Sequence, residues 1–102
     1  IYVWIRKHYK MDFSVEELAE KCNMSVSSFH KKYKDSTGIS PVQFQKQLRL
    51  AEARRLLIEG KRNVSQASEE VGYKNFSQFI REYKKVYGVS PKNDMKRIQN
   101  LS

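Results

Sequence analysis

Apolar residues recur along this chain at intervals of three and four, and strict two-residue alternation is scarce. That spacing gathers apolar side chains on one face of a helix, so the pattern predicts helices throughout. The polar punctuation agrees. Ser14 with Glu17, Ser40-Pro41 with Gln43, Asn63 with Gln66 and Asn75 with Gln78 have capping-box spacing. Ser25 and Ser90-Pro91 are further helix starts, because a serine side chain can accept from an orphan amide and proline has none to lose. Gly38, Gly60, Gly72 and Gly88 mark ends. The predicted helices lie near 1–9, 14–22, 25–38, 41–60, 63–72, 75–88 and from 91 onward.

The chain repeats itself. A shift of fifty residues lays Ser27 on Ser77, Phe29 on Phe79, Tyr33 on Tyr83, Lys34 on Lys84, Gly38 on Gly88 and Ser40-Pro41 on Ser90-Pro91. Upstream the match continues with one residue fewer of shift, Val15 on Val64, Glu20 on Glu69 and Cys22 on Val71, so the second turn is one residue longer. One supersecondary unit therefore occurs twice: short helix, tight turn, second helix, then Gly and Ser-Pro. That is the helix-turn-helix plan. The expected fold is all-α, a seven-helix domain with two helix-turn-helix subdomains joined by a long central helix. The expected organisation is one domain over 1–102: a first unit at 1–40, a linker helix at 41–60 and a second unit at 61–102.

A repeat built only for packing would leave a generic solvated outer face. With Phe29 and Tyr33 turned to the core, about 100° per residue collects Ser27, His30, Lys31 and Lys34 on the opposite side. In the second copy Ser77, Ile80, Arg81 and Lys84 lie opposite Phe79 and Tyr83. Small hydroxyls allow close approach, and the cations suit phosphate or guanine, so each face suits a major groove. Balancing acids, usual on a solvated face, are limited to Asp35 and Glu82 at the edges. The central helix would be about 28 Å long against about 34 Å per turn of B-DNA, so two reading helices in successive major grooves are expected. Its Phe44 and Leu48 serve the first unit, and Leu50, Ala53 and Leu57 the second. Arg49, Arg54 and Arg55 are left for phosphates or salt bridges.

Charge strengthens this picture. Twenty Lys and Arg stand against eleven Asp and Glu, a formal net charge of +9 that favours a polyanionic partner. The single Cys22 excludes an internal disulfide and fits a reducing cytoplasm; it is read as a buried small hydrophobe ending its helix. No apolar run approaches the roughly 20 residues that span a bilayer, so no membrane partner is expected. His8 has no companion at metal-ligand spacing, and Trp4, Tyr9 and Phe13 are read as core. With no Gly-rich phosphate loop and no nucleophile set, neither an enzyme nor a cofactor or metal is expected. Phe76, opening its helix, could touch a thymine methyl or staple the helix entry.

The stretches LAEKCNMSVSSFHKKYKDSTGISPVQF, LRLAEARRLL and VSQASEEVGYKNFSQFIREYKKVYGVSP, together nearly the whole chain, resemble the AraC/XylS family of bacterial transcription regulators. The resemblance implies a seven-helix domain at the C-terminus of a longer regulator. Its base contacts, carried to matching positions, fall on Ser27, His30 and Lys31 and on Phe76, Ser77, Ile80 and Arg81. Two positions depart from the family. Ser68 replaces a usual alanine, which predicts looser packing of its helix, and KNDMKR after Ser90-Pro91 lacks the aromatic often found there, which leaves the last helix open. The chain also starts inside a predicted helix without an initiator Met. We therefore expect a missing N-terminal domain for effector sensing and dimerisation, double-stranded DNA and RNA polymerase as partners, and a cytoplasmic, nucleoid-associated protein. The alternative is a basic helical module for RNA or an acidic protein.

Overall fold

The computed structural model describes residues 1–101, with the side chains of all but Ser36 and Thr37; Ser102, the end of the expected domain, lies outside the described residues. Seven helices follow in order: α1 (Tyr2–His8), α2 (Val15–Lys21), α3 (Val26–Thr37), α4 (Pro41–Glu59), α5 (Val64–Glu70), α6 (Phe76–Tyr87) and α7 (Pro91–Leu101). No strand occurs among the described residues, so the fold is all-α.

Side chains start most of these helices. Ser14 and Ser25 accept from the amides of Glu17 and Ser28, Asn75 from that of Gln78, and Ser90 from that of Asn93. Reciprocal boxes close at Ser40/Gln43 and Asn63/Gln66. Gln78 does not return to its cap; its amide donates to Glu82 instead. α3 and α6 both end on a left-handed glycine, Gly38 (φ 76°) and Gly88 (φ 80°), whose amides return to the carbonyls of Lys34 and Lys84.

The chain packs as two units, Ile1–Leu48 and Arg49–Ser102, dividing inside α4. In the first, Ile5, Leu18, Ala19 and Phe29 are buried, with Trp4, Phe13, Met24, Tyr33, Phe44 and Leu48 packed around them. In the second, Leu50, Ala53, Leu56, Leu57, Ala67, Val71, Tyr73, Phe79 and Tyr83 form the core. Each part of α4 therefore walls one core, as its apolar residues predict. Burying side chains of this size contributes about 1.5–3 kcal/mol each.

Ser68 does not loosen α5: it is 2% exposed, as is Ala19, its counterpart in the first unit. α7 forms without the usual aromatic because Asp94, fully buried at its first turn, accepts hydrogen bonds from Arg54 and Tyr83. Cys22 is half-buried rather than buried, with its Sγ 3.8 Å from the Tyr33 hydroxyl. His8 closes α1, stacked on Trp4 at 4.4 Å with Nδ1 2.9 Å from the Trp4 carbonyl.

Candidate nucleic-acid interface

α3 is anchored by its inner face. Phe29 is fully buried, and Tyr33 packs against it at 4.7 Å between ring centroids. The Tyr33 carbonyl accepts from Tyr2, and the Tyr33 hydroxyl meets the Cys22 thiol, a contact that with burial raises the phenol's pKa. Ser27, His30, Lys31 and Lys34 are exposed.

α6 is anchored in the same way but by stronger groups. Phe79 and Tyr83 are fully buried. Tyr83 donates to Asp94, and Tyr73, in the preceding turn, donates to Glu82 at 2.9 Å. Burial and these carboxylates push both phenols well above their ordinary range. Ser77, Arg81 and Lys84 are exposed, and Phe76 is 48% exposed with its ring 6.4 Å from that of Phe79. Glu82, the acid at the edge of this face, takes hydrogen bonds from Tyr73 and Gln78. Among the described residues no ion pair engages Lys31, Lys34, Arg81 or Lys84. Each unit thus presents cations and small hydroxyls on one helix, backed by buried aromatic rings.

Residues 18–97 match the family of helix-turn-helix domains. The chain belongs to the AraC family of these DNA-binding domains. The MmsAB operon regulatory protein of Pseudomonas aeruginosa is 31% identical over 99 residues, 97% of this chain and 32% of that protein. A probable AraC family transcriptional regulator from Rhodopseudomonas palustris has a TM-score of 0.81 at 27% identity, covering 92% of this chain and 89% of that one. The DNA-binding domain of AdpA, a global transcriptional factor in complex with a target DNA, shares the fold with a TM-score of 0.89 at 24% identity, over 98% of this chain and 90% of that one. The chain spans about a third of the length of the curated relatives it matches.

Within this AraC-type domain the sequence-derived faces need two adjustments. Ile80 is only partly exposed, since one side of it packs on the core of the second unit. The arginines of α4 divide between salt bridges, one of their two expected uses, at Arg54 and Arg55, and burial at Arg49. Arg49 is 8% exposed with its guanidinium 5.7 Å above the Tyr73 ring, and Arg54 binds Asp94 at 2.8 Å. Arg55 pairs with Glu52 and Glu59 along the helix. Hydrophobic periodicity shows which face a helix buries, but not which cations fold back onto it.

Two buried polar residues were missed by sequence reasoning. Gln45, 7% exposed, donates to the Tyr9 and Met11 carbonyls at 3.3 and 3.0 Å and ties α4 to the loop before α2. Asp94 accepts from Arg54 and Arg97, both at 2.8 Å, and from Tyr83. Burial alone would raise the Asp94 pKa, but these donors outweigh it and hold the carboxyl at about 2. The repeat held a signal for Asp94: it stands where the first copy has Phe44. Among the described residues no group of His, Cys, Asp and Glu could hold a metal, and no helix is long and apolar enough to cross a membrane.

Proposed function

We propose that the chain is the sequence-specific reading head of a transcription regulator, with α3 and α6 each entering a major groove of double-stranded DNA. The observation that carries the reading is the duplicated outer face: unengaged cations beside small hydroxyls, set opposite buried aromatic rings, once in each unit. Ser27, His30 and Lys31 of α3 and Ser77, Ile80 and Arg81 of α6 are assigned to base edges. Lys34 and Lys84, one turn further along, are assigned to phosphates. Phe76, half its surface open, is assigned to a thymine methyl. Successive grooves correspond to two half-sites about ten base pairs apart. In the intact regulator, effector sensing, dimerisation and contact with RNA polymerase belong to the proposal, as does a cytoplasmic place on the nucleoid.

Selection from random duplexes, with structured RNA as competitor, tests it. The expected outcome is an enriched asymmetric site with two half-sites, and affinity that drops by orders of magnitude from low to moderate salt. Preference for RNA, or a flat salt response, overturns it.

A further inference from the structure

The outer face of α6 can read bases only if the helix is held at a fixed roll about its own axis. At the outer radius of a helix, about 6 Å, a roll of about 10° moves a side-chain tip by about 1 Å. A specific contact tolerates roughly half that displacement. Apolar packing of Phe79 resists separation of α6 from its neighbours but constrains roll weakly, because dispersion depends little on direction. A hydrogen bond from the far end of a long, rigid side chain constrains it strongly.

Tyr83 supplies that bond. It lies on the inner face of α6, four residues past Phe79, and its hydroxyl donates to Asp94 of α7. The acceptor is itself fixed from two directions. Arg54 of α4 binds one carboxylate oxygen and Arg97 of α7 the other, each at 2.8 Å. The charged and titratable groups around the carboxylate are these two arginines, Tyr83, and Tyr87 of α6, whose ring lies 5.2 Å below the Arg54 guanidinium. In the first unit the hydroxyl of the matching tyrosine, Tyr33, lies 3.8 Å from the Cys22 thiol, and the position matching Asp94 is Phe44.

We propose that Asp94 is a positioning residue for DNA reading by the second unit. Held by Arg54 and Arg97, its carboxylate pins the Tyr83 hydroxyl and sets the roll of α6, and with it the aim of Ser77 and Arg81. The carboxylate touches no DNA; it acts through Tyr83. This rests on the assignment of α6 as a recognition helix.

The test uses the whole chain and two mild variants, Tyr83→Phe, which removes one hydroxyl, and Asp94→Asn, which keeps shape and removes charge. Each is compared with the unaltered chain by selection from random duplexes, by affinity for nonspecific duplex across salt, and by thermal unfolding, with binding measured below each transition. The expected result is about tenfold poorer base discrimination in the half-site read by α6, about what one two-pronged base contact supplies. Discrimination in the other half-site, nonspecific affinity and the salt slope should stay as they are. If both variants melt earlier yet keep every base preference, the network only stabilises the fold and the proposal is overturned. If the loss is equal in both half-sites, it is overturned as well. An unaltered chain that selects no sequence at all would instead overturn the DNA-reading assignment itself.

Discussion

The two units share a plan but exchange the roles of two neighbouring residues. In the first, Phe44 packs on the core and Gln45, next to it, makes the buried polar tie. In the second, Asp94 makes the polar tie and Met95 packs on the core. Adjacent residues on a helix point about 100° apart, so exchanging them redirects the polar group. Gln45 therefore reaches the loop before α2 rather than α3, whose Tyr33 meets the Tyr2 ring at 5.6 Å, the Tyr2 hydroxyl at its carbonyl and the Cys22 thiol at its hydroxyl. Asp94 reaches α4 and α6, and so holds α6 directly. The matching turn is thus tied by a neutral amide to loop carbonyls in one copy and by a charge-assisted carboxylate network in the other.

The sharpest way to break this comparison is to remove each closing residue. Asp94→Ala leaves Arg54 facing a cavity and should cost about 3–5 kcal/mol, the usual cost of breaking a buried ion pair. Phe44→Ala removes a half-buried ring and should cost less, about 2 kcal/mol. Trp4, the chain's one tryptophan, lies against the core of the first unit, so its fluorescence in urea follows that unit while circular dichroism follows both. Asp94→Ala should shift the dichroism transition and spare the Trp4 signal. If the two signals move together, the units do not unfold separately and the comparison loses its thermodynamic meaning.

Acid should separate the units too. The Asp94 carboxyl is held at about 2 in the folded chain, below the roughly 3.9 of an unfolded aspartate. A depressed folded value means stability fully present above the unfolded pKa and lost as pH falls through the folded one. The second unit should therefore lose about 2 kcal/mol between about pH 4 and pH 2. In Asp94→Asn this part of the acid response should vanish. An unchanged acid midpoint in that variant would show that other carboxylates govern acid unfolding.

On DNA the outer face of α6 should divide into a reader and a holder. Arg81→Ala should cost about 1–3 kcal/mol on the selected site and relax one base position, whereas Lys84→Ala should weaken all duplexes alike and lower the salt slope by about one ion. Unchanged base preferences in Arg81→Ala would remove it from the readers. The smallest expected contrast lies in the turns. Asn23 (φ 53°) and Gly72 (φ 102°) occupy equivalent places, both at positive φ. Gly72→Ala should cost about 1–2 kcal/mol, and Asn23→Gly should be nearly neutral, because only glycine enters that region without steric cost. Thermal melts of the two variants check the difference in sign and size.

The sequence by itself determined what depends on neighbours along the chain. Helix starts at Ser14, Ser25, Asn63 and Asn75, the left-handed ends at Gly38 and Gly88, and the buried faces of α3 and α6 follow from contacts within a few residues. The duplication was legible for the same reason, since two copies of a local pattern can be compared without knowing how they pack. Placement of the exposed cations at Lys31, Lys34, Arg81 and Lys84 followed from periodicity, because the core takes the other face. Only the tertiary structure decided the fate of the buried polar residues. Arg54 and Asp94 are forty residues apart and Tyr83 and Asp94 eleven, and no local spacing links them. A carboxylate, an arginine or a glutamine reads as solvated until packing brings a partner within hydrogen-bond reach, and desolvation then makes that partner obligatory. Arg49 and Arg54 were drawn into the second unit for that reason, and α7 was formed around an acid rather than an aromatic ring.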